Sequence, residues 1–201
     1  MKSKPKRNYV PGPLDNCQTP AYALDPILPF LDKSWLWWEP AVGTGNLFTA
    51  MLFNDYEIFG SDILTGNDFF SYSPEEQLWD GLVTNPPYSL KFKWIARCYD
   101  LGKPWALLVP AETPACQKAI RLFQKWRTPE IMYLDNRIHF EMPFQGLNGS
   151  GAQFPVIWLC HKILPEPLMF GHIEYPPEVL AHLTKVRREK SQARKAKAIA
   201  E

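Results

Sequence analysis

The chain has 201 residues, 46% of them apolar, and a formal net charge of +1. That length suits one domain with a real core and leaves no room for a second of ordinary size. No stretch approaches the roughly 18 uninterrupted apolar residues of a membrane span, and "MKSKPKRNYV" has no apolar segment behind its charges, so a soluble intracellular protein is expected. Cys17, Cys98, Cys116 and Cys160 are scattered with no C-x-x-C pair, which argues against a zinc site or a disulfide framework. Charge is unevenly spread. Residues 1–10 carry four basic side chains and no acid, and residues 185–201 carry seven against two acids, leaving residues 11–184 at −8. An acidic body with basic ends is compatible with a polyanion partner.

In chain order, strand and helix signals alternate as in an α/β domain with a largely parallel sheet. "WLWWE" (35–39) reads as a buried strand, "NLFTAMLFN" (46–54) as a helix and "YEIFGSD" (56–62) as a second strand. "LWDGLVTN" (78–85) predicts a third strand, residues 91–102 a helix closed by Gly102, and "PWALLVP" (104–110) a fourth strand. A helix is expected from about Thr113 to Trp126, with Thr113 and Pro114 at its start. "EIMYLD" (130–135) and "FPVIWLC" (154–160) are further strands, separated by the glycine-rich loop 141–153, and the basic end favours helix. Residues 1–14 read as a basic arm, 15–177 as the main domain and 178–201 as a basic C-terminal helix or tail.

Three junctions stand out. "EPAVGTGNLF" (39–48) joins the first strand to the first helix, where ligands bind in open parallel sheets. Gly43 and Gly45 permit a sharp turn and close approach, yet Phe48 stands where the dinucleotide fingerprint wants glycine or alanine, and no Walker lysine follows. The second strand ends in Asp62, placed to accept from a ribose diol, and Asp68 with Phe69 offers an acceptor beside a ring or backbone amide. The third strand runs into Asn85-Pro86-Pro87-Tyr88, which the prolines make a stiff, extended loop.

Taken in order, "DNCQTPAYALDPIL", "EPAVGTGNL", "GSDI", "NDFF" and "TNPPYS" resemble the successive motifs of S-adenosylmethionine-dependent adenine-N6 DNA methyltransferases, especially the compact kind encoded by bacteriophages and prophages. The resemblance covers about residues 15–160. It implies a Rossmann-like class I methyltransferase fold, a mostly parallel seven-stranded sheet with helices on both faces, in the cytoplasm of a bacterium or phage-infected host. It implies S-adenosylmethionine as cofactor and DNA as partner. Thr19 and Pro20 would hold the cofactor's carboxylate; Glu39, Ala41, Gly43, Gly45 and Asn46 its methionine part; Asp62 the ribose; Asp68 and Phe69 the adenine. The Asn85 side-chain carbonyl and the Pro86 backbone carbonyl would each accept a hydrogen of the target amine, with Pro87 stiffening the loop and Tyr88 stacked on a flipped base.

Further along, "NRIHFE" (136–141) is similar to a later motif of the family, whose Phe140 would cover the base's second face. His139 beside it reads as a strand residue rather than a base. Lys91 and Trp94 are candidates to touch nucleic acid. Large relatives carry a separate recognition domain. Here only loop 141–153 and the basic ends are left for that task, which implies short or loose sequence preference or help from a second copy of the chain. Three other readings stay open: N-methylation of RNA or of a protein glutamine, a non-catalytic nucleic-acid-binding module, and a nicotinamide-dependent oxidoreductase.

Overall fold

The computed structural model describes residues 15, 17–72, 74–75, 78–140 and 154–200. The basic arm 1–14 and the loop 141–153 lie outside them. Seven strands form one sheet: β1 (Leu36–Glu39), β2 (Glu57–Gly60), β3 (Gly81–Thr84), β4 (Trp105–Pro110), β5 (Glu130–Leu134), β6 (Val156–His161) and β7 (Leu168–Gly171). Their order is β2-β1-β3-β4-β6-β5-β7. β6 runs against both neighbours, and every other pairing is parallel. The sheet is therefore mixed, with a single reversed strand, in the α/β Rossmann-like class expected.

Strand alternation splits the interior in two. Trp37, Val83, Ala106, Leu108, Trp158 and Cys160 face one way, and pack with Leu24, Ile27, Leu47, Met51 and Val179. Trp38, Leu82, Leu107, Val109, Ile157 and Leu159 face the other way, with Trp94, Ile95 and Cys98. The central strands are covered on both faces, which is why they read as continuous apolar runs rather than as alternation. One face takes α1 (Asn46–Phe53), the turns over residues 21–31 and the start of α4 (Pro177–Ala200). The other takes α2 (Lys91–Leu101) and α3 (Gln117–Lys125).

Gly102 ends α2 at φ 72°, the left-handed stop expected of it. The helix expected from Thr113 starts later. Pro114 sits in a short 3-10 turn, Thr113–Ala115; Cys116 is then extended at φ −92°, ψ 152°, and α3 begins at Gln117. β7 is an addition to the expected strands. It follows the proline-broken stretch "LPEP" and pairs in parallel with β5 at the sheet's edge.

Candidate functional site

The site is built at the carboxyl ends of β1, β2 and β3. Glu39 closes β1, and the turn after it carries Gly43 at φ 55° and Gly45 at φ 88°, conformations in which a side chain is strained. Gly45 stands at the start of α1. Asp62, just past β2, binds this turn to the next one. Its Oδ2 accepts from the Gly43 amide at 2.9 Å, and its Oδ1 accepts from the Leu64 amide at 2.8 Å. A carboxylate has about four lone-pair directions, so acceptor capacity remains for a ligand.

Residues 15 and 17–19 lie across these loops. Gln18 Oε1 accepts from the Thr44 amide at 2.9 Å and the Thr44 hydroxyl at 2.7 Å. A Cβ on Gly43 would come within 2.8 Å of that same oxygen. Asp15 reaches the proline loop, accepting from the Ser89 amide at 3.1 Å and the Ser89 hydroxyl at 2.7 Å. The segment thus ties the glycine turn to the loop after β3. Asp15 and Gln18 carried no sequence signal of these roles, because their partners stand 74 and 26 residues away.

Between these walls lies a cavity of about 140 Å³, lined by Thr19, Glu39, Ala41, Gly43, Asn46, Asp62, Asn85 and Pro87 among the expected site residues. A second hollow of about 390 Å³ shares Ala41, Asp62 and Ile63 with it and holds Asp68 and Phe69. Pro20, Gly45 and Pro86 are not on either wall, although Pro20 and Pro86 are buried beside residues that are. Asp68 Oδ1 accepts from the Phe70 amide at 3.0 Å. The Phe69 ring is stacked on Trp94, centroids 3.9 Å apart and planes 14° from parallel, so the second hollow has an aromatic wall.

The first cavity is acidic. Asp15, Glu39 and Asp62 line it, and among the described residues no lysine, arginine or histidine does. Glu39 is 2% exposed, and its Oε2 has no partner among the described residues. Burial, and then the nearby Asp62 carboxylate, push the Glu39 carboxyl well above its ordinary range, against a hydrogen bond from the Phe48 amide. A wall of three carboxylates, one of them the buried Glu39, favours a cationic ligand and disfavours a pyrophosphate.

At the cavity's far end, Asn85 follows buried β3, and its Oδ1 is buried without a partner among the described residues. The next residues keep the loop extended, with Pro87 at φ −57°, ψ 119°. Tyr88 is buried, its hydroxyl unpaired among the described residues, and burial raises its phenol well above the usual value. Tyr88 meets Phe140 edge to face at 6.4 Å and Phe154 at 5.8 Å. The two rings expected to sandwich a base therefore stand at 85° to each other.

Lys91 lines neither cavity; its Nζ donates to the Tyr88 carbonyl at 3.3 Å. His139 lies outside any strand, contrary to expectation, because the chain leaves the sheet at Asp135. Its amide donates to the Tyr22 hydroxyl at 2.8 Å, and burial depresses its imidazole pKa.

No family model matches the sequence, and no curated protein does. Among solved structures, the chain is similar to one described as the modification subunit of a type I restriction enzyme from Vibrio vulnificus YJ016, at 14% identity and a TM-score of 0.47, over 80% of this chain and 48% of that one. A second, described as a class I S-adenosylmethionine-dependent methyltransferase from Listeria monocytogenes, is 16% identical at a TM-score of 0.49, over 89% and 72% of the two chains. A third, described as an RNA methyltransferase from Pyrococcus horikoshii, is 12% identical at 0.39, over 72% and 80%. The chain spans about half the length of the Vibrio structure.

Proposed function

We propose that this chain transfers a methyl group from S-adenosylmethionine to the exocyclic N6 amine of adenine in DNA, with short or loose sequence preference. The observation that carries the reading is an acidic cavity ending at Asn85 Oδ1, which is buried and has no partner among the described residues. When bound, S-adenosylmethionine would supply an electrophilic methyl group: the carbon–nitrogen bond would form as the carbon–sulfur bond breaks with its electron pair left on sulfur, and the nitrogen's surplus proton would pass to solvent. Glu39 and Asp62 suit the positive charge of its sulfonium and ammonium. Thr19 and Asn46 line the part of the cavity that would take its methionine end, while Asp62, Asp68 and the Phe69 wall suit an adenosine.

Asn85 Oδ1 and the Pro86 carbonyl accept the two amine hydrogens. That draws the nitrogen lone pair out of conjugation with the ring and aims it at the methyl carbon. Because β3 and two prolines fix the loop beforehand, these acceptors need little reorganisation as charge develops. Positioning of nitrogen, carbon and sulfur in line supplies the rest. Tyr88 and Phe140 offer aromatic surface to the base once their rings turn.

The deciding experiment supplies radiolabelled S-adenosylmethionine with duplex DNA, single-stranded DNA, RNA or a peptide release factor, then digests and identifies the product. Labelled N6-methyladenine from DNA is the expected result. Label in RNA or in a glutamine would move the substrate, and no label in any of them would sink the reading. Calorimetry with S-adenosylmethionine and with NAD provides an independent check, since the acidic cavity should take the first and refuse the second.

A further inference from the structure

α2 and α3 pack side by side, and between them runs a groove of about 440 Å³ lined by Ser89, Leu90, Phe92, Lys93, Ala96, Lys118, Arg121 and Leu122. Leu90 and Lys93 also line the larger hollow of the candidate site, so the groove begins where the proline loop ends. The two helices carry Lys91, Lys93, Arg97, Lys118, Arg121 and Lys125 against a single acid, Asp100, within a body that is otherwise strongly acidic. Among the described residues the one ion pair is His172 with Asp135, so no described carboxylate pairs with these cations. Two of its cations converge on one half-buried ring: Lys91 Nζ lies 5.1 Å and Lys118 Nζ 5.9 Å from the Phe92 centroid.

A rim of cations without carboxylate partners among the described residues, over a floor of Leu90, Phe92, Ala96 and Leu122, matches a ligand with evenly spaced anions and flat apolar faces. Unpaired nucleotides have both; in a duplex the base faces are stacked away from such a floor. We propose that this groove holds a single-stranded stretch of nucleic acid flanking the target base, with Lys93, Lys118 and Arg121 on its phosphates and Phe92 beneath a base. The proposal rests on the reading of the protein as acting on a nucleic-acid base. It places recognition on the domain body, in addition to the basic ends and loop 141–153.

The test is fluorescence anisotropy of a labelled twelve-nucleotide oligothymidylate against the full chain across a salt series. Thymine has no exocyclic amine, so this binding does not depend on methyl transfer. K118A/R121A replaces two exposed side chains and should melt as the wild type does. It should bind at least about 10-fold more weakly at low salt, with the slope of log affinity against log salt reduced by about 1.4, some 0.7 for each phosphate that is no longer neutralised. F92A should weaken binding by about five-fold or more with the slope unchanged.

Unaltered affinity in K118A/R121A would overturn the groove and leave the proposed reaction standing. A wild type that binds through the groove yet methylates no nucleic acid would sink the reaction and leave the groove. A duplex of equal length bound as tightly, with the same weakening in both variants, would overturn the single-stranded assignment. Equal competition by an oligoglutamate peptide of matched charge would replace nucleic acid by an acidic peptide.

Discussion

At the scale of single residues, the site holds two buried acceptors, Glu39 Oε2 and Asn85 Oδ1, that have no donor among the described residues. Asn85→Ala removes one, and should cut methyl transfer by about 100-fold or more while calorimetric affinity for S-adenosylmethionine stays close to wild type. Near-normal turnover in that variant would dismiss the role given to the proline loop. Asp62→Ala should act in the opposite order, weakening cofactor binding first. It should also cost stability, because the Gly43 and Leu64 amides lose their acceptor.

Glu39 offers a test of sign. Its folded carboxyl titrates well above the unfolded value near 4.5, so the folded protein without cofactor keeps a proton that the unfolded chain releases. That contribution to stability is present below about pH 4.5 and is lost as pH rises through the raised folded value. Glu39→Gln should therefore melt higher than the wild type at pH 8, by about 2–4 °C for each kcal/mol relieved, and the gap should shrink toward pH 4.5. The same variant should bind S-adenosylmethionine more weakly. A lower melting point at pH 8 would mean that the carboxylate is already satisfied.

At the scale of elements, the sequence is most legible where backbone chemistry is local. The Gly43 and Gly45 turn, the Gly102 stop and the buried runs of β1, β3, β4 and β6 each declare themselves within a few residues. Long-range pairings do not. Gln18 and Asp15 act through partners far along the chain, and β7 is four residues long beside prolines, with Leu168 and Phe170 facing solvent. α3 begins later than its sequence signal implies because Pro114 suits a 3-10 turn as well as a helix, and Cys116 re-extends the chain between them.

The ladder itself has tight points. A Cβ on Gly81, the first residue of β3, would stand 2.6 Å from the Trp37 ring, which is fully buried and cannot swing away. Gly81→Ala should lower stability by about 1–3 kcal/mol in urea titration. A neutral result there would show that the β1–β3 packing is looser than its register implies.

At the scale of the whole molecule, charge and core are separated. The first turns of α4 anchor the helix through buried Val179 and part-buried Leu183, whereas the seven basic side chains of residues 185–201 follow after that anchor. Deleting residues 185–201 should leave the melting temperature within about 1 °C, since the core stays whole. It should weaken binding of any nucleic acid, specific or not, and flatten the salt dependence. Unchanged affinity and slope would confine recognition to the domain body.

The packing of the two sheet faces also furnishes an optical readout. Trp37 and Trp158 belong to one face's core, Trp38, Trp79 and Trp105 to the other's, and all five indoles are shielded from water. They should contribute short-wavelength emission in the native protein and shift red only when their own layer floods. Emission that tracks backbone circular dichroism through a single sigmoid would show that both layers melt as one cooperative unit. Two steps would show that one layer survives the other.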